Sequence, residues 1–141
     1  MQTFLPYDDY KKSAKCLDYR RLGKQRVECY QILITLYTKR KAWSNHPATK
    51  MWRGYEIELC EYAIEMCNEW IKRGYKDNLS LKINNIKDLF VNKYKIVNLP
   101  HWINDIRVYE SHKSRLLQKD NIWYSQFDWN VDCNLPYFWP V

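Results

Sequence analysis

The chain has 141 residues, 46% of them hydrophobic and 28% charged, with a formal charge of +7. That length and composition suit one globular domain with a proper core and exclude a disordered chain. No run of eighteen apolar residues occurs, so no membrane span is expected, and the basic balance points to an acidic partner, nucleic acid before an anionic membrane surface.

The first residues, Met1-Gln2-Thr3-Phe4-Leu5-Pro6, have no charged segment followed by an apolar one. They do not read as a secretory leader, so the protein is expected to stay intracellular, in cytoplasm, nucleoid or nucleus. Asp8 or Asp9 caps a short helix near residues 8–15. Asp18 caps a second, to about Thr38, whose Leu22, Val27, Tyr30, Leu33, Ile34 and Tyr37 keep the helical rhythm. Gly23 inside it costs about 1 kcal/mol against Ala and marks a close approach by backbone or ligand. Ser44-Asn45-His46-Pro47 reads as a turn and cap. The next helix, about 48–73, is expected to be the longest, with Trp52, Tyr55, Leu59, Tyr62, Ala63, Met66 and Trp70 as its buried stripe and Gly74 as its left-handed end. Residues 76–100 read as an irregular segment and then a short helix closed by Pro100. Asp105 caps a helix from Ile106 to Lys119, with Ile106, Tyr109, Leu116 and Leu117 inward. Asp120 to Val141 reads as coil wrapped on the helices. The expected fold is therefore all-α, a compact single-domain helical bundle over residues 1–141 with a long central helix and an aromatic-rich C-terminal coil.

Chemistry concentrates in three places. Between Lys11 and Arg26 stand seven Lys/Arg (Lys11, Lys12, Lys15, Arg20, Arg21, Lys24 and Arg26) against one acid, Asp18. Lys11 with Lys15, and Arg20 with Lys24, align at i, i+4, a repulsive spacing unless an anion lies there. A solvated basic surface accounts for the same charge. Ser111, Arg115 and Lys119 fall at i, i+4, i+8, a hydroxyl and two cations spaced for adjacent phosphate oxygens, or an ordinary wet face. Trp123, Tyr124 and Phe127 follow at once; aromatics beside a basic face stack on exposed bases, though singly they also serve as core. Neither G-x-G-x-x-G nor a P-loop is present, and five cysteines without C-x-x-C spacing read as reduced buried thiols. His46, His101 and His112 are isolated, so no metal and no cofactor are expected, and no obligate protein partner.

The motifs Met1-Gln2-Thr3-Phe4-Leu5-Pro6, Leu17-Asp18-x-Arg20-Arg21-Leu22-Gly23-Lys24-Gln25-Arg26-Val27-Glu28, Asn45-His46-Pro47-Ala48, Met51-Trp52-x-Gly54-Tyr55 and Pro136-Tyr137-x-Trp139-Pro140 are specific in combination. The chain resembles the pyrimidine-dimer DNA glycosylase family, the UV endonucleases, in a bacterial and viral branch. The likeness to the phage-type enzyme is patchier. It rests on Tyr19-Arg20 with Arg26, Ile71-Lys72-Arg73-Gly74-Tyr75, Arg115-Leu116 with Lys119, and Trp123-Tyr124 with Phe127.

The resemblance implies a compact all-α domain acting on double-stranded DNA, a glycosylase with AP-lyase chemistry. In that chemistry an amine attacks C1′, displaces the base and forms an imine, a carboxylate stabilises the cationic sugar, and β-elimination follows. An α-amine suits this better than a lysine because its ordinary pKa is near 8 rather than 10.4. The nucleophile is then Met1 or, after atypical processing, Gln2. The family's catalytic Glu, directly after Tyr-Arg, is replaced by Arg21, so Glu28 is the nearest acid in that segment, with Asp18 and Glu110 as others. A carboxylate among Arg20, Arg21, Lys24 and Arg26 suits stabilising a cation better than donating a proton. His46 joins Met1, Gln2 and Glu28 as a catalytic candidate. Arg20, Arg21, Lys24, Arg26, Ser111, Arg115 and Lys119 are the phosphate contacts, with Trp123 and Tyr124 against the lesion. Two other readings stay open: a DNA- or RNA-binding protein that keeps the basic cleft without the chemistry, and a small enzyme acting on nucleotides.

Overall fold

The computed structural model describes residues 1–141 as seven α-helices, one 3-10 turn and no strand. In chain order the helices are α1 (Tyr10–Cys16), α2 (Tyr19–Thr38), α3 (Pro47–Trp52), α4 (Glu56–Lys72), α5 (Ser80–Lys93), α6 (Ile106–Lys119) and α7 (Asn121–Tyr124), with the turn at Ser125–Phe127. The caps are those the side chains dictate. The carboxylates of Asp9 and Asp105 accept from Lys12 N and Arg107 N, and Pro47 holds the first helical position of α3 behind His46. Asp18 precedes α2 without capping it; its carboxylate instead accepts from Tyr124 Oη and Arg21 Nη1.

α4 holds the central place, packed on α1, α2 and α5. It is shorter than expected. Helical spacing continues from Trp52 through Tyr55 to Leu59, but Gly54 has φ +91°, and Tyr55 N closes a turn onto Trp52 O at 2.8 Å. The segment is thus two helices, and α2, at 20 residues, is the longest element. Gly74 at φ +93° ends α4, with its N–H on Ile71 O and that of Tyr75 on Trp70 O. Gly23 marks a close approach: a Cβ there would lie 3.1 Å from the Trp70 ring. Ile106, expected inward, is 64% exposed, because α6 turns its Val108–His112–Leu116 side to the core instead.

One apolar cluster runs through the molecule, with Trp52, Tyr62, Trp102 and Tyr124 its largest fully buried members. Burying each removes a large apolar area from water. Into this core runs the N-terminal segment. Residues 2–6 are buried, in neither helix nor strand, and no strand pairs with them. Side chains take over that role. Thr3 N donates to Gln2 Oε1 (2.8 Å), Phe4 N to Gln25 Oε1 (2.7 Å) and Leu5 N to His112 Nδ1 (2.8 Å). Tyr62 Oη donates to Phe4 O at 2.6 Å and Trp52 Nε1 to Thr3 Oγ1 at 2.9 Å. A buried backbone donor left bare costs about 1–3 kcal/mol, so these bonds are what permit the first residues to lie inside.

Candidate functional site

The first residue surfaces in a cavity of about 370 Å³ between the N-terminal halves of the segment and α2 and the C-terminal half of α6. Met1, Gln2 and Phe4 form one wall, Arg20, Arg21, Lys24, Gln25 and Glu28 of α2 a second, and Arg115 and Lys119 of α6 a third, with Tyr137 from the tail. The two basic stretches read from the sequence, 95 residues apart between Arg20 and Arg115, therefore share one pocket with the chain's first amine.

Gln2 N donates to Glu28 Oε2 at 3.2 Å, which ties the residue after Met1 to that carboxylate. Gln25 fixes both partners. Its Nε2 donates to Gln2 O at 2.9 Å and approaches Glu28 Oε2 at 3.4 Å, while its Oε1 accepts from Phe4 N and lies 2.8 Å from Tyr62 Oη. Of the five cations lining the cavity, only Arg21 has an acidic partner, Asp18 at 3.3 Å. Lys119 shows the crowding: burial first, then the charges of Arg21, Arg115 and Lys24, hold its proton affinity below the ordinary lysine value, against the pull of Glu28. Arg115 lies 4.6 Å over the Tyr137 ring, and its buried Nε has no partner.

His46 stands near the amine without lining the cavity. Burial, and then the α-amine's charge, lower its pKa, with Glu28 opposing. Its Nδ1 accepts from Ala48 N at 3.0 Å, so the neutral ring carries its proton on Nε2. Neutral His46 therefore offers an N–H at Nε2 rather than a free basic nitrogen.

Four expected contacts lie elsewhere. Arg26 is buried, ion-paired with Asp77 and stacked 4.5 Å over Trp70, so its charge is spent inside the fold. Ser111 is buried and bonded to Val108 O, not on a wet face. Tyr124 is a core residue, fully buried, bonding both Asp18 N and its carboxylate. Trp123 donates to Cys16 O at 2.8 Å and lines a separate concavity with Tyr7, Lys12, Lys15 and Arg73. Conversely, Gln25, Phe4 and Tyr137 belong to the site and were not singled out. The one available signal was their place inside motifs, Gln25 a polar residue on the inward stripe of α2. No group of three His, Cys, Asp or Glu is disposed to hold a metal ion, and no helix is long and apolar enough to cross a membrane.

A family model described as pyrimidine dimer DNA glycosylase matches residues 1–83. No curated protein and no solved structure matches the chain. The matched span includes the N-terminal segment, α2 and Glu28, and stops short of Arg115, Lys119 and Tyr137.

Proposed function

The chain belongs to the pyrimidine dimer DNA glycosylase family, a family of DNA repair glycosylases, and from that premise we propose that it acts on duplex DNA as a glycosylase with AP-lyase activity, using the α-amine of Met1. The bond from Gln2 N–H to the Glu28 carboxylate supports this reading, because it ties the residue next to Met1 to an acid that lines the same cationic cavity.

The amine lone pair attacks C1′, and the glycosidic C1′–N bond breaks with its electrons passing to the departing base, which takes up a proton. The nitrogen then sheds its proton and the C1′–O4′ bond opens, giving an iminium and a protonated O4′. Loss of a C2′ proton expels the 3′ phosphate. Glu28 faces the positive charge that grows on the sugar and accepts the protons shed nearby. Arg20, Arg21, Lys24, Arg115 and Lys119 hold the phosphates that flank an extruded nucleotide, for which the strand must leave the stack. His46 Nε2–H donates towards the sugar. Phe4 and Tyr137 offer the aromatic wall.

Borohydride trapping on a duplex with an abasic site tests the reading. The expected result is covalent capture that is lost when the α-amine is blocked by acetylation. DNA binding without capture favours the alternative in which the cleft is kept and the chemistry is not, a reading that Arg21 supports by lining the cavity in place of the family's carboxylate.

A further inference from the structure

A second basic concavity, of about 430 Å³, lies at the other end of α2. Lys39 and Arg40 just past α2, Arg53 after α3 and Lys93 at the end of α5 surround it, with Glu56 below. None of the four cations is within ion-pair distance of a carboxylate. Two are held in place: Arg40 Nε donates to Thr35 Oγ1 at 3.1 Å, and Arg53 Nη2 to Ser44 O at 2.7 Å. Glu56 is 3% exposed and uses one oxygen to accept from Gly54 N, so a single carboxylate faces four cations.

The position of this concavity gives it meaning. Arg21, Gln25, Glu28, Ile32 and Thr35 fall at alternating spacings of four and three, one stripe of α2, and Lys39 follows at its left-handed end. The first cavity is lined by the Gln25 and Glu28 end of that stripe and the second by its Thr35 end, with buried Ile32 between them, and at 1.5 Å per residue Glu28 and Lys39 are about 16 Å apart. The loop between α2 and α3 joins them. Ser44 lines the second cavity, and His46, two residues on, feels the charge of the α-amine in the first. A duplex carries its phosphates at 3.4 Å rise per strand, so about 16 Å corresponds to about five base pairs.

We propose that this concavity is a second phosphate site, which grips the backbone of the same duplex about five base pairs from the reacting nucleotide. The inference rests on the reading of the protein as an enzyme of duplex DNA. It adds a contact that fixes the register of the flank and contributes affinity regardless of lesion.

The double variant Lys39→Asn/Lys93→Gln tests it, because neither lysine makes a hydrogen bond and Asn suits the left-handed φ of +56° at position 39. Binding is measured against salt on two duplexes with an abasic site, one extending well past the lesion on both sides and one ending beside it. On the long duplex the slope of log K against log salt should fall by about 1.8, about 0.9 for each lost cation, and on the short one it should not change. Equal slopes for variant and parent on the long duplex overturn the proposal. So does a parent whose melting temperature rises with inorganic phosphate while those slopes stay equal, since the cavity then takes only small anions. Should the pair melt below the parent, Lys93→Gln alone should give half the change, and no change sinks the idea. Failure of borohydride capture with the slope difference intact overturns the catalytic reading and leaves this one standing.

Discussion

Gln25 uses both ends of its amide on the N-terminal segment, and Glu28 one helical turn later completes the grip. The two residues act together but separably. Glu28→Gln keeps an acceptor for Gln2 N–H and removes the charge, so binding to an abasic duplex should hold or tighten while the rate of borohydride capture falls by about 10²–10⁴. An unchanged capture rate would remove Glu28 from the chemistry. His112 lends itself to a pH measurement. Burial pushes its pKa down to about 3, while the unfolded ring titrates near 6.5. The unfolded chain thus binds a proton that the folded one refuses, and stability, fully present above about pH 6.5, should fall by about 1.4 kcal/mol per pH unit below it. His46, also lowered, adds in the same direction. Urea titrations between pH 6.5 and 4.5 should show a shallower acid loss for His112→Asn, which retains an acceptor for Leu5 N–H. A parallel loss in variant and parent would contradict it.

The helices illustrate what pattern can and cannot carry. Asp9, Asp105 and Pro47 announce their helices because capping depends on neighbours within three residues. The break at Gly54 was hidden by apolar spacing that runs straight across it, from Trp52 to Leu59. Only a positive φ reveals the turn. Gly54→Ala places a Cβ in the left-handed region with nothing within 4 Å to clash, so conformational strain is isolated from packing. The expected loss is about 1–2 kcal/mol in urea denaturation at constant m-value. An Ala variant as stable as the parent would show that α3 and α4 are free to join. For Trp123, Tyr124 and Phe127 the sequence leaves stacking on bases and a place in the core both open; Tyr124 takes the core, stacked on Trp129 and bonded to Asp18, and it is Tyr137 that reaches the cavity. Composition counts aromatics without saying which way each faces.

Over the whole molecule the basic charge was legible, and so was its leaning towards nucleic acid. Its sorting was not. Arg26 finds Asp77 across 51 residues of sequence, whereas Arg115 and Lys119 find no acid and join Arg20 and Lys24 around the first residue. Long-range pairing of that kind depends on how α2, α4 and α6 pack, which no local spacing encodes. The buried, irregular segment at residues 2–6 was equally invisible, since its partners are scattered side chains at Gln25, Tyr62 and His112. That segment brings Met1 into the cavity that Glu28 and five cations line, and the proposed chemistry depends on it. Proteolytic mapping of borohydride-trapped protein tests this most directly. The deoxyribose adduct should sit on the N-terminal peptide, at the α-amine of Met1, and an adduct on Lys24 or Lys119 instead would contradict it.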